Sequence, residues 1–511
     1  MRPNAGAPTV APVAAMVVAL ALALALALAG CSGGVKSSSG PSTSPAGPSQ
    51  SAPTGSASAD AGDPDEQVDP NDPAFDAGLS EPLEDSIYPH VGDPGIDTLH
   101  YDLALAWTPS TRTLDGVATI AFRATADATR VRFDLGPALD VSSVAIDGTE
   151  VKAKHRGKDL VVRAPVVADQ RYLLRVGYSG TPEPVKAPTT RSDFDEIGFR
   201  ISPTDAVWTM QEPYGAFTWY PVNDQPADKA LYDFTLTVPS PWVGIANGAL
   251  TDRSERAGLT TTQWHLSMPT ASYLTTLAFG DYQVTSNSSA SGLEIDYWVP
   301  RANAELAPDL EAAAGGLDWL EERLGPYPYD SLGFLLVDSR SGMETTTMIT
   351  LGTTEYTTSP AVLVHELVHH WYGDLVTPND WRDVWMNEGM AMYLQGMWEA
   401  EQEGITTGQK MDEWATFEAD YRADSGPPAD YDPTEFGTGN IYYGPALMWH
   451  ELRQRLGDAT FFAMIRDWPA SQADGSSDRE EYIAWIEDYT GEELSAFFDA
   501  WLLGPTTPPR G

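Results

Sequence analysis

Three of the chain's eight histidines fall within six positions of VLVHELVHHWYGD, residues 362–374. Imidazoles gain nothing inside an apolar helix unless something binds them. His365 and His369 stand one helical turn apart, so both rings can reach a single zinc ion. Glu366 completes an H-E-x-x-H, in which the carboxylate is placed as a general base. His370 points roughly 100° away from His369 and reads as a structural residue. A third ligand is available in WMNEGMAMYLQGMW, where Glu388 follows His369 after 18 intervening residues. Two imidazoles and one carboxylate leave the fourth position of a tetrahedral zinc open, which is the catalytic arrangement rather than the structural one. One Zn²⁺ per chain is expected, for attack of activated water on a carbonyl with Glu366 accepting the proton. The oxyanion so formed needs a second donor. Tyr442 and Tyr443, in IYYGPALMWHELR, could each supply a hydroxyl, and spacing does not choose between them.

These residues need elements to hold them. Ser359-Pro360 reads as a helix start, with a capping side chain and proline in the first turn, and the chain reads as mostly helical from there through Leu503. Upstream, residues 304–325 place apolar residues every three to four positions, as an amphipathic helix does. LGFLLVDS (332–339) and METTTMITLG (343–352) each read as a buried strand. The first half alternates instead. TLHYDLALAW, GVATIAFRA, RVRFDL, LVVRAPV, RYLLRVGYSG and YDFTLTVP read as half-buried strands, and Asp147-Gly148 as a hairpin turn. At 511 residues the chain needs two or more domains. The expected fold is an all-β, sandwich-like domain over 86–301 followed by a mostly α catalytic domain with a small sheet over 302–511.

Taken in order, these motifs resemble the aminopeptidase N family of zinc exopeptidases, gluzincins related to the leukotriene hydrolases. The family's H-E-x-x-H, followed after 18 residues by the Glu of an N-E-G, matches His365, Glu366, His369 and Asn387-Glu388-Gly389. Its G-x-M-E-N motif, whose Glu binds the substrate's free α-amine, aligns with Met343-Glu344. Its Y-x-K-G-A, whose Tyr stabilises the transition state, aligns with Tyr442 and Ala446. Glu212, which opens EPYGAFTWYPVNDQPADKA, falls on a second amine-binding acid. The resemblance covers about residues 95–470. It implies a thermolysin-like catalytic domain, an aminopeptidase acting on peptides with a free N-terminus, Tyr442 as the oxyanion donor, and Glu212 and Glu344 as amine anchors. Clustered buried acids are costly unless a cation joins them, and a substrate ammonium is such a cation. An amine so anchored sets the first peptide bond over the metal.

Several positions depart from the pattern. Ser341 stands for the first Gly of G-x-M-E-N and Thr345 for its Asn, so the Asn contact to the substrate is expected to be missing or replaced by the Thr hydroxyl. Gly444-Pro445 stands for Lys-Gly, Phe217 for an Arg and Val222 for a Cys. No large helical C-terminal domain is expected, and the pocket for the cleaved residue's side chain is expected around Met343, Gln211 and the edge of the β domain. Two other readings use the same residues. One is a zinc endopeptidase or other zinc hydrolase with no free-amine requirement; the other is a non-catalytic surface lipoprotein that binds peptides.

The formal net charge of −43 disfavours nucleic acid and anionic membrane faces, so no nucleic-acid partner is expected. Arg2 and the apolar run 17–29 read as an export signal meeting Leu28-Ala29-Gly30-Cys31, which is similar to a bacterial lipobox. Cys31 is the chain's single cysteine and is the expected lipidation site. Residues 1–31 are thus expected to be a lipoprotein signal peptide, and 32–85, rich in Ser, Pro, Gly and Asp, to be a disordered tether. The protein is expected to be exported and lipid-anchored to the outer face of the bacterial cell membrane, touching the membrane only through that anchor.

Overall fold

The computed structural model describes residues 68–511. The expected signal peptide, Cys31 and the tether up to residue 67 lie outside the described residues.

The alternating segments of the first half pair into an eight-stranded sheet. Its order is Ala249–Arg256, Leu259–Ala271, Lys229–Pro239, Ile96–Thr108, Thr113–Ala124, Arg171–Gly180, Leu139–Ile146 and Thr149–Glu150. Neighbours are antiparallel except for Ile96–Thr108 beside Lys229–Pro239. The period of two is visible along Lys229–Pro239, where Phe234, Leu236 and Val238 are buried and Asp233, Thr235 and Thr237 are half-buried. Asp147 and Gly148 both take positive φ, 47° and 72°, as a two-residue hairpin turn between Ile146 and Thr149 requires. A five-stranded and a three-stranded sheet complete the sandwich-like domain. Their inward side chains, among them Leu103, Trp107, Phe122, Phe133, Phe199 and Phe279, form one apolar core.

The second domain is a five-stranded mixed sheet overlaid by helices. Strand order is Tyr282–Ser288, Glu294–Pro300, Leu332–Val337, Met348–Gly352 and Gly342–Met343. Among the described residues, no helix is long and apolar enough to cross a membrane.

Three boundaries differ from the sequence reading. The strands Tyr282–Ser288 and Glu294–Pro300 belong to the catalytic domain, not the β domain. Glu294–Pro300 pairs in parallel with Leu332–Val337, which buries Ile295 and Tyr297 in the second core. Residues 68–85 are not a free tether but lie packed on the fold. Phe75 stacks on His100 at 4.6 Å, and the Asp85 carboxylate accepts from the backbone of Ile87, Tyr88 and Trp381. A few aromatic and Asp side chains thus supply the contacts that the composition conceals. Finally, residues 343–352 form a hairpin, Gly342–Met343 against Met348–Gly352, rather than one strand. The turn passes through Thr347 at φ 62°.

A single lysine staples the two domains. Lys229, 2% exposed on a β-domain strand, donates through Nζ to the carbonyls of Asp374 (2.8 Å), Leu375 (3.1 Å) and Gly475 (3.1 Å). Burial pulls its pKa down to about 8, against Asp474 and Asp374, so the ammonium persists at neutral pH. Lys229→Met strands three buried carbonyls and is expected to lower the unfolding free energy by about 3 kcal/mol in urea denaturation. A loss under about 0.5 kcal/mol would mean that water replaces the ammonium.

Candidate active site

The Pro360–His369 helix sinks Leu363, Val364, Leu367 and Val368 into the second core, which turns His365, Glu366 and His369 toward a cavity of about 540 Å³. Pro360 opens this helix as expected, but Ser359 makes no side-chain cap. Glu388 comes from the first turn of the Trp385–Glu403 helix. Tyr442 comes from the Gly439–Leu456 helix packed beside it. These two helices approach so closely that a Cβ on Gly389 would collide with Pro445.

The three candidate ligands converge. Nε2 of His365 lies 3.2 Å, and Nε2 of His369 3.5 Å, from the same oxygen of Glu388, and the three donor atoms sit within 4.8 Å of one another. Nδ1 of His369 lies 3.2 Å from the Tyr372 carbonyl, which fixes the proton on that nitrogen and leaves Nε2 free to ligate. Burial alone would raise the Glu388 carboxyl, but before a metal displaces the proton the His369 imidazolium and the hydrogen bond from His365 outweigh it and hold it well below the usual range. Two imidazole nitrogens and an ionised carboxylate, all turned into one cavity, fit a zinc ion.

Around this trio lie three more carboxylates. Glu344 sits in the turn of the 342–352 hairpin, and Glu344, Glu366 and His369 also bring donor atoms within 4.8 Å of one another. Glu212 enters from the β domain. One oxygen of Glu212 and one of Glu344 are buried with no hydrogen-bond partner. Burial pushes Glu212, Glu344 and Glu366 above the ordinary carboxylate range, and the neighbouring acids push each of them further. Such a cavity attracts cations. It also depends on one missing side chain: a Cβ on Gly342 would collide with the Glu366 carboxylate.

The two tyrosines part company. The Tyr442 ring lies 6.0 Å from that of His365, and its hydroxyl oxygen accepts from Arg191 at 3.4 Å. Tyr443 is packed among Trp414, Phe417 and Tyr421 at the cavity's mouth, where Tyr356 is 69% exposed. His370 is buried with its Nδ1 2.9 Å from the Tyr327 hydroxyl, a structural placement.

Of the two alternatives at Thr345 the structure favours a missing contact, and Gln211 also lies off the cavity. Thr345 is fully buried, and its hydroxyl bonds the Met348 carbonyl and, at 2.9 Å, the Thr350 hydroxyl; it does not line the cavity. Gln211 is likewise buried away from the cavity, holding Ser272, Thr275 and Trp219. Met343 does line it. One residue that no motif singles out, Arg191, is the only Lys or Arg among the lining residues.

Both halves of this arrangement match models of one family. Residues 97–274 match the peptidase M1 N-terminal domain, and residues 309–501 match the peptidase family M1 domain. The chain belongs to peptidase family M1. Among M1 relatives, it is 25% identical to aminopeptidase N of Streptomyces lividans over 80% of this chain and 50% of that protein. It is 23% identical to aminopeptidase M1-B of Oryza sativa over 79% of this chain and 49% of that one. The chain thus spans about half the length of these relatives. It superimposes on the M1 zinc metallopeptidase of Deinococcus radiodurans with a TM-score of 0.73 at 26% identity, over 84% of this chain and 98% of that one. A mutant of that enzyme bound to a Tyr-Ser-Ala substrate gives a TM-score of 0.74 at the same identity, over 84% and 99%. The M1 metal is zinc, in agreement with the donor set here.

Two outcomes follow from this geometry. His369→Ala and Glu388→Gln should each reduce zinc content from about one per chain to near zero by elemental analysis, whereas Tyr442→Phe should leave it unchanged. Gly342→Ala should keep the zinc and the melting temperature but lower hydrolytic turnover about 100-fold by displacing the Glu366 carboxylate.

Proposed function

We propose that this chain is a zinc aminopeptidase that releases N-terminal residues from peptides. The observation that carries the reading is the pair of buried, unpartnered carboxylate oxygens on Glu212 and Glu344, set in the same cavity as the His365, His369 and Glu388 trio. An endopeptidase has no use for two acids there, because an internal peptide segment brings no ammonium. A substrate's α-ammonium satisfies both and relieves the repulsion among the acids. Fixing the amine also fixes register, since only the first peptide bond then reaches the ligand trio. The M1 relatives named aminopeptidase, and the Deinococcus enzyme bound to Tyr-Ser-Ala, support the same reading.

His365, His369 and Glu388 would hold the zinc, which when bound would supply Lewis acidity to water and to the scissile carbonyl. Glu366 accepts the water's proton at its carboxylate, and its burial among acids suits it to carry that proton on to the leaving amine. Tyr442 donates its hydroxyl to the oxyanion. Glu212 and Glu344 hold the ammonium. Export and a lipid on Cys31 belong to the same proposal and rest on the sequence of residues 1–31 alone.

The test compares one short peptide with a free and with an acetylated N-terminus. Chelator-sensitive release of the first residue from the free peptide alone is expected, and equal cleavage of both would overturn the amine anchor. Glu366→Gln should lower kcat about 1,000-fold, whereas Glu344→Gln should act mainly by raising KM.

A further inference from the structure

Arg191 rises from the β-domain loop between Lys186 and Glu196 and ends in the catalytic domain. A guanidinium in a peptidase cavity suggests an anchor for a substrate carboxylate, but its hydrogen bonds exclude that. A guanidinium has five N–H donors. Here Nε donates to Asp193 at 3.3 Å. Nη2 donates to Asp193 at 2.7 Å and to the Ser341 hydroxyl at 3.3 Å. Nη1 donates to the Gly437 carbonyl at 3.0 Å and to the Tyr442 hydroxyl oxygen at 3.4 Å. Every donor is engaged, and Asp193 balances the charge.

What Arg191 grips is the turn that carries Tyr442. Pro445 lies inside the Gly439–Leu456 helix and has no N–H, so the Ile441 carbonyl loses its helical donor. The first turn is therefore fastened from outside, by Asn440 to the Gly426 carbonyl at 2.9 Å and by Arg191 to Gly437 just before the helix. The donation to Tyr442 has a direction as well. An N–H that occupies a lone pair of the phenolic oxygen turns the O–H away from the guanidinium and into the cavity.

We infer that Arg191, locked by Asp193, is the positioning residue of Tyr442, by which the β domain aims the hydroxyl that meets the oxyanion. The inference rests on the proposed aminopeptidase chemistry. With every donor engaged, Arg191 has none left for substrate, so its loss should lower turnover without weakening ground-state binding.

A double-mutant cycle on the full zinc enzyme tests it, with Arg191→Met, Tyr442→Phe and the pair. Tyr442→Phe should lower kcat about 100-fold. Arg191→Met should lower kcat at least about 10-fold with KM within about 2-fold, and should add less than about 2-fold in the Tyr442→Phe background. Arg191→Lys keeps the charge but not the fork, and is expected not to restore the rate. Equal losses in both backgrounds, a raised KM with kcat retained, or full rescue by Lys would each overturn the assignment. Should Arg191→Met fail to fold, Asp193→Asn keeps the arginine while loosening it, and the same non-additivity with Tyr442→Phe is expected. A readout free of turnover separates this inference from the proposed function. Affinity for a tetrahedral phosphinic dipeptide analogue should fall in Arg191→Met by the same factor as kcat, with affinity for free leucine unchanged. An unchanged phosphinate affinity overturns the positioning role even if the wild-type protein cleaves no peptide.

Discussion

The site is organised around negative charge that has been taken out of water. Glu212, Glu344, Glu366 and Glu388 line one cavity, each less than a tenth exposed, with two imidazoles and one guanidinium among them. Isolated carboxylates in that setting either take up protons or recruit cations. The protein divides the four. Glu388 stays ionised because His365 and His369 face it directly, whereas Glu212, Glu344 and Glu366 are pushed up toward protonation. On the proposed reading the metal takes the first kind of acid, and a cation bound beside the second kind would draw those carboxyls back to their charged form. On that same reading, one cavity thereby serves two cations of different kind, a metal and an amine.

Such crowding needs backbone to approach side chain closely, and the chain meets this with small residues at two points. Gly342 gives up its Cβ to the Glu366 carboxylate, and Gly389 gives up its own to Pro445. The second contact explains a departure from the family pattern. A side chain at Gly444 would meet Glu418 and Arg422, which are paired with each other in the core, so the Lys of the usual motif has no room there. Pro445 fills the space against Gly389 and costs the helix one internal hydrogen bond. The Thr345 departure is equally local. Its hydroxyl closes the hairpin that carries Glu344 to the cavity, and so helps fix Glu344 without itself lining the cavity.

Chemistry with fixed spacing was legible in the sequence. His365, Glu366 and His369 are set by helical periodicity, and Glu388, on a second helix, converges with the two histidines. Strand alternation likewise located the large sheet, and Asp147-Gly148 its hairpin. What escaped depends on packing between distant segments. The strands at 282–300 alternate like the rest of the β domain, and only their parallel partner at 332–337 assigns them elsewhere. Residues 68–85 look unstructured by composition because their contacts, Phe75 on His100 and Asp85 on Trp381, reach residues far along the chain. Tyr442 and Tyr443 differ by about 100° of helix rotation, which directs one to the ligands and the other to Tyr421, and no local pattern reveals that choice. Arg191 carries no signal at all: it is a charged residue in a polar loop.

The site is therefore a property of the seam rather than of the catalytic domain. His365, Glu366, His369, Glu388, Glu344 and Tyr442 come from one side, and Glu212 and Arg191 from the other. A slip of one ångström between the domains would move an amine anchor and the tyrosine's partner together, while leaving the zinc ligands untouched. Lys229 opposes that slip, since its ammonium ties the β domain to the backbone at Asp374 and Leu375, directly after the His365–His369 helix. The candidate metal donors all belong to the catalytic domain, whereas on the proposed reading the place of the substrate's amine relative to them is set by contacts between the two domains.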